Sequence, residues 1–298
     1  MSKFFGSRIL MLAIALLTFF VALPGEKLES WAIANSFAST PAKNSQNSDP
    51  RNLDSRNSPL TTPRIHPLPP KLALGESYLN STTGSSAGSN AGDDYFTEIK
   101  STPLGYLIWS QFPIKVYLDQ PPIDISFSEQ ERFTSWTRAV EQALQEWQQY
   151  LPLVIISQPE AADLADIKVL RSFPPQRATR NPTTGLLEIP RAAAAQARYE
   201  FYLQTPQSIL AHRFTIYLSP NQTEEYTLAT ARHELGHALG LWGHSPLETD
   251  IMYFSQVRTP PPISPRDINT LRRIYQQPTQ LGWQVEGTPT QAPPLNQE

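Results

Sequence analysis

Hydrophobic and polar positions follow two alternating periods from about residue 106 onward. Phe112 to Leu118 alternates and is rich in β-branched and aromatic residues, which predicts a first strand. Phe133, Trp136, Val140, Leu144, Trp147 and Leu151 then recur at three- or four-residue steps. They follow Ser128-Glu129-Gln130-Glu131, which reads as a capping box, so a long amphipathic helix is expected against a sheet, with its aromatics in the core. Leu153–Ile156 and Ile167–Leu170 read as short strands, and Ala197–Leu203 with Arg213–Leu218 as an antiparallel pair. A second helix is expected from Glu224 or Tyr226 to Leu239, with Leu228, Ala231, Leu235, Ala238 and Leu239 as its apolar stripe. After Pro260-Pro261-Pro262, Ser264-Pro265-Arg266-Asp267 supplies a cap with proline at the first helical position. Ile268, Leu271, Ile274 and Tyr275 then predict a short closing helix.

The first hundred residues are different. Lys3 and Arg8 precede the apolar run Ile9 to Leu23, which Pro24-Gly25 and the small-residue pattern Ala32-Ile33-Ala34 follow. This order predicts a secretory signal peptide over 1–34 and a secreted or extracytoplasmic destination. A retained membrane anchor is the alternative, although the run is shorter than the roughly 20 residues a span needs. Residues 35–102 are rich in Ser, Asn, Pro, Thr and Gly and are expected to form a disordered linker or prosegment. That leaves a folded domain over 103–280 and a flexible tail over 281–298. A net charge of −3 with 17% charged residues gives no footprint for nucleic acid. The chain has no cysteine, so its stability outside a cell would come without disulfides.

The chemistry sits on the second helix, in the run His233-Glu234-Leu235-Gly236-His237-Ala238-Leu239-Gly240-Leu241-Trp242-Gly243-His244. Residues four apart project from one helix face with Cβ atoms roughly 5–6 Å apart, the right spread for two imidazoles to grip one zinc ion. At about 100° per residue, His233 and His237 point away from Leu235 and are expected to face a cleft. Glu234 stands one step round, where its carboxylate reaches a water on the metal without being a ligand. A bare H-E-x-x-H arises by chance in roughly 1% of chains this long, usually on a solvated helix. Here the motif continues: of five histidines, three fall within this run. Gly240 is placed to close the helix in a left-handed conformation and so to return His244 to the same metal. Met252 is the one methionine outside the N-terminal apolar segment.

This run, with Asp250-Ile251-Met252-Tyr253 after it, resembles the zinc signature and Met-turn of the metzincin metalloproteases, most closely the matrixin branch (peptidase family M10 type). The likeness extends from about Gly105 to Tyr275. It implies zinc ligands at His233, His237 and His244, a catalytic Glu234, and Met252 as a hydrophobic base beneath the metal. The implied fold is α+β: a twisted, mostly parallel sheet of about five strands with an antiparallel edge strand, a long packing helix, a zinc-site helix, a Met-turn and a C-terminal helix. Many matrixins block their zinc with a prosegment cysteine, a device this chain lacks.

One departure stands out. Three residues, Leu241, Trp242 and Gly243, separate the glycine from the third histidine, where the family has two. Gly243 is expected to absorb the extra residue by taking positive φ, and Asp250 and Glu248 remain alternative third ligands. Tyr253, directly after the methionine, is assigned to packing or the substrate-pocket wall, and position 254 is Phe. The expected activity is that of an exported zinc-dependent endopeptidase acting on peptide or protein substrates, using a zinc-bound water and Glu234 as general base. Substrate is expected to add as a strand to an exposed sheet edge, Ala197 to Leu203 being the candidate. The alternatives are a secreted zinc-containing peptide-binding domain without proteolysis, and a membrane-tethered protein in which the motif is coincidental. His212 stands before a strand and reads as surface or structural, with a place near the cleft as the other option. His66 carries no assigned role, and the oligomeric state is left open.

Overall fold

The computed structural model describes residues 61–73, 93–175, 179–180, 183, 185–188 and 193–285. The expected signal peptide, much of the expected linker and most of the expected tail lie outside the described residues. Strands β1 (Ile114–Leu118), β2 (Leu153–Ile156), β3 (Ile167–Leu170), β4 (Thr179–Arg180), β5 (Leu187–Glu188), β6 (Ala195–Gln204) and β7 (Ile209–Leu218) accompany helices α1 (Phe127–Trp147), α2 (Glu224–Leu239) and α3 (Pro265–Tyr275). Five strands make the main sheet in the order β2-β1-β3-β7-β6, and β4 and β5 form a separate two-stranded pair. The first four strands of that order run parallel, while β6 returns antiparallel along β7 and forms the edge. This is the α+β architecture expected from the sequence.

Register puts apolar side chains in rows across the sheet. Val116 lies opposite Ile155 and Ile167, Ile167 opposite Phe214, and Phe214 opposite Tyr199. The next row is Leu118, Val169, Ile216 and Ala197, and all four are buried. On a pleated strand, residues two apart share a face, so these rows form one continuous wall. Phe133, Trp136, Val140, Leu144 and Trp147 of α1 belong to the same core. Trp147 donates its indole N–H to the Arg232 carbonyl at 3.0 Å, and Arg232 pairs with Glu146, tying α1 to α2. No helix among the described residues is long and apolar enough to cross a membrane.

Several local expectations need correcting. Helix α1 is capped by Ser126, whose hydroxyl accepts from the Glu129 N–H at 3.2 Å, so the cap lies two residues before the one expected at Ser128. Residues 61–73 and 93–102, assigned by composition to a disordered linker, are built onto the domain. Leu72 and Tyr95 are buried, Arg64 bridges to Thr279, and Arg272 donates to the Leu72 carbonyl at 2.9 Å. Sparse apolar residues suffice there because the folded domain supplies the surface that covers them. The start of the expected tail is packed as well: Leu281 and Val285 are buried, and His66 donates to the Leu281 carbonyl at 2.7 Å while stacking on Trp283.

Candidate metal centre

Helix α2 starts at Thr223, whose side chain accepts from the Tyr226 N–H, and ends at Gly240 with φ 130°. Such a φ favours glycine, and a side chain there would also crowd the Leu107 carbonyl. The helix is buried nearly all round, so His233 and His237 lie in the interior, with His233 also lining a small cavity. Met252 explains part of this: it is fully buried, and a Cβ on Gly236 would collide with its sulfur. The absence of a side chain at Gly236 thus lets Met252 lie directly against the helix at that residue.

Past Gly240 the chain makes two successive three-residue turns, with Trp242 N–H donating to the Gly240 carbonyl at 2.7 Å and Gly243 N–H to the Leu241 carbonyl at 2.9 Å. These turns shorten the path and take up the extra residue. Gly243 does not adopt positive φ, contrary to the expectation. Glycine is required for another reason: a Cβ there would strike the Glu98 carbonyl oxygen. Segment 93–100 runs against this loop, bridging Ile99 to Gly243, with Lys100 N–H donating to the Trp242 carbonyl at 2.9 Å.

His244 thereby joins the other two. Ring centroids are 4.8 Å apart for His233 and His237, 5.3 Å for His233 and His244, and 5.0 Å for His237 and His244. One ligand atom from each lies within 4.8 Å of the others. Nδ1 of His233 faces the Ile251 carbonyl at 2.8 Å, and Nδ1 of His237 faces the Leu241 carbonyl at 2.7 Å. A carbonyl oxygen only accepts, so both Nδ1 atoms carry the proton, which leaves the lone pair on Nε2. Nε2 of His237 and of His244 and Oε1 of Glu234 are buried without a hydrogen-bond partner. Three converging imidazoles, two of them with that tautomer fixed, are a donor set suited to zinc, and the residues present therefore fit the ion.

Electrostatics follow from burial. It drives His233 down to about 3, with His244 adding repulsion, and His244 down to about 4, with Lys100 adding to the effect. His237 is likewise held well below its ordinary value, so all three rings are neutral near pH 7. Burial pushes the Glu234 carboxyl up to about 8, while a backbone hydrogen bond from Ala197 on β6 pulls the other way. The edge strand thus passes beside the carboxylate. Trp242 packs edge-on between His237 and Tyr199 of β6, at 5.4 and 5.0 Å, and walls the same side.

The alternative ligands are placed elsewhere. Glu248 is exposed. Asp250 is buried and accepts from Ser245 at 2.5 Å, Ser264 at 2.7 Å and Arg266 at 3.0 Å, so its carboxylate staples the loop after His244. Sequence reasoning missed Asp267 and Tyr95. Asp267 accepts from Ile251 N–H at 3.1 Å and Ser264 N–H at 2.7 Å, and the Tyr95 hydroxyl donates to its other oxygen at 2.6 Å. The capping signal located Asp267 at the helix start but carried no hint of its long-range partners. Tyr253 lines a small cavity of about 30 Å³ beside His233. His212 is inside β7, buried against Trp109 at 4.0 Å and outside the cluster.

A twisted, mostly parallel sheet with an antiparallel edge, and a helix whose paired histidines meet a third beyond a glycine turn, define a zinc-peptidase architecture. The family model for matrixins, peptidase family M10, matches residues 124–276, and the chain belongs to that family of zinc metallopeptidases. No curated protein matches the chain.

Proposed function

We propose that the chain is an exported endopeptidase in which His233, His237 and His244 hold zinc and Glu234 carries the proton. The observation that carries this reading is the convergence of the three imidazoles beside a buried Glu234 oxygen that has no protein partner. Zinc, when bound, supplies a Lewis acid that polarises a carbonyl and acidifies a water. Glu234 takes the proton of the water that attacks the peptide carbonyl and gives it to the departing nitrogen. Its raised pKa suits both transfers, and the charge of a bound dication acts against burial to keep the carboxyl near the working range.

Strand β6 orients the substrate. As the sheet edge it offers main-chain N–H and C=O groups to an extended polypeptide, and it continues for seven residues beyond Ala197. That length favours cleavage within a chain. The cavity beside His233, walled by Ala229, Ile251, Val257 and Pro260, suits a small apolar side chain next to the scissile bond. Met252, beneath Gly236, fixes the floor on which the histidines stand. Export rests on the N-terminal apolar run and its small-residue cleavage pattern.

Glu234→Gln preserves shape and removes the proton acceptor. The variant is expected to bind one zinc, as wild type does, and to lose about 10²- to 10⁴-fold in kcat on an unstructured protein substrate. Undiminished turnover in a zinc-loaded variant would sink the assignment. Wild-type protein that binds zinc and peptides but cleaves none would favour a non-proteolytic binding domain.

A further inference from the structure

At the hairpin end of the sheet a cavity of about 620 Å³ opens between β6, β7, the start of β1 and the loop before β3. Its volume lies in the range of ligand-binding clefts and far exceeds that of the cavity beside His233. Charges of both signs line it, Lys115 and Arg213 against Asp163, Asp166 and Glu200; Arg213 pairs with Glu200, and Asp163 with Lys168 outside the lining. The lining therefore carries no strong field of one sign. It presents hydrogen-bonding groups and aromatic faces, notably Gln111, Tyr202, Gln204 and Trp109. His212 is also part of the lining, but its ring is buried on Trp109, on the opposite face of β7 from Ala211 and Arg213.

The cavity is continuous with the edge strand that passes Glu234. Ala197 stands beside that carboxylate, and Glu200 and Gln204 follow three and seven positions later. At about 3.3 Å per residue these lie roughly 10 and 23 Å further along β6. Glu200, Tyr202 and Gln204 share a face, opposite Arg213, Ala211 and Ile209 of β7. Side chains of an added strand alternate between faces, so every second one would reach this face.

We propose that this cavity is a second recognition site for the polypeptide substrate, taking a polar, uncharged stretch that lies about three to seven residues from the scissile bond. The proposal rests on the peptidase reading and adds a specificity determinant remote from the metal. Ala211, half-buried on the cavity wall and paired with Tyr202, five residues along β6 from Ala197, is not one of the metal-cluster residues, so Ala211→Arg is chosen to fill the site away from the zinc cluster.

The test uses the full zinc-loaded chain. A sequence that it cleaves in casein is synthesised with about eight residues on each side of the scissile bond, enough to span the cavity, and again with about two. Ala211→Arg is expected to lower kcat/KM about tenfold on the long peptide and to leave the short one within about twofold, the scale of one or two net hydrogen bonds. Gln204→Ala, which adds no bulk, is expected to shift the long peptide in the same direction by a smaller factor. Equal losses on both peptides in both variants, or no loss on the long peptide, overturn the proposal. Wild-type protein that cleaves neither casein nor either peptide overturns the peptidase reading first, and the second site with it.

Discussion

His233 and His212 are both buried in the interior, and each ring is driven down to about 3, His212 by burial alone and His233 chiefly by burial with added repulsion from His244. Their neighbours differ. His233 has its Nδ1 fixed by the Ile251 carbonyl and two further imidazoles within ring contact. His212 lies against Trp109 and Phe214 and meets no second metal-binding group among the described residues. Depressed basicity is therefore a mark of burial and does not by itself locate a metal centre. Convergence of donors, with tautomers set by backbone carbonyls, does so.

Removing one member of each pair probes this contrast most strongly. His237→Ala is expected to abolish stoichiometric zinc binding and with it proteolysis, whereas His212→Leu keeps its zinc. Zinc content after exhaustive dialysis reads both, and a His237→Ala protein that retains a full equivalent would break the distinction. Gly243→Ala comes next in size. The added Cβ meets the Glu98 carbonyl, so segment 93–100 or the His244 loop must move. A loss of about 1–3 kcal/mol in stability is expected, the usual cost of overpacking, together with weaker zinc binding. Denaturant unfolding with and without zinc measures both, and unchanged zinc affinity would separate His244 from the strap that holds its loop.

Much of this was legible in the amino-acid order. The β-branched and aromatic run Phe112 to Leu118 and the three- to four-residue period from Phe133 to Leu151 identified β1 and α1, although β1, interior to the sheet, spans 114–118 and buries residues on both faces. Local spacing likewise brought His233 and His237 together, since one helix carries both. Contacts that depend on distant chain were not legible. Gly243 reads as a flexible turn residue, yet its role comes from the carbonyl of Glu98, far away in sequence. Tyr95 lay in a stretch whose composition resembles a linker, and only the folded domain reveals that its hydroxyl meets the Asp267 carboxylate. The N-cap at Ser126 was missed because Ser128 with Glu131 makes an equally good local pattern, and the two differ only in where the helix is needed.

The smallest effect concerns protons. Between about pH 3 and 6.5 the unfolded chain takes up a proton at residue 212 that the folded chain refuses, so stability falls as the pH is lowered through that window. The contribution to the slope reaches about 1.4 kcal/mol per pH unit for one proton. His212→Leu removes it, so the variant should lose less stability than wild type between about pH 7 and pH 5, as guanidinium unfolding at the two values measures. The histidines of the metal cluster contribute to both proteins alike and cancel from the difference. Equal slopes would mean that His212 accepts its proton while folded, which requires solvent to reach its ring from the cavity side. In that event the contrast between the two buried sites would rest on donor convergence alone.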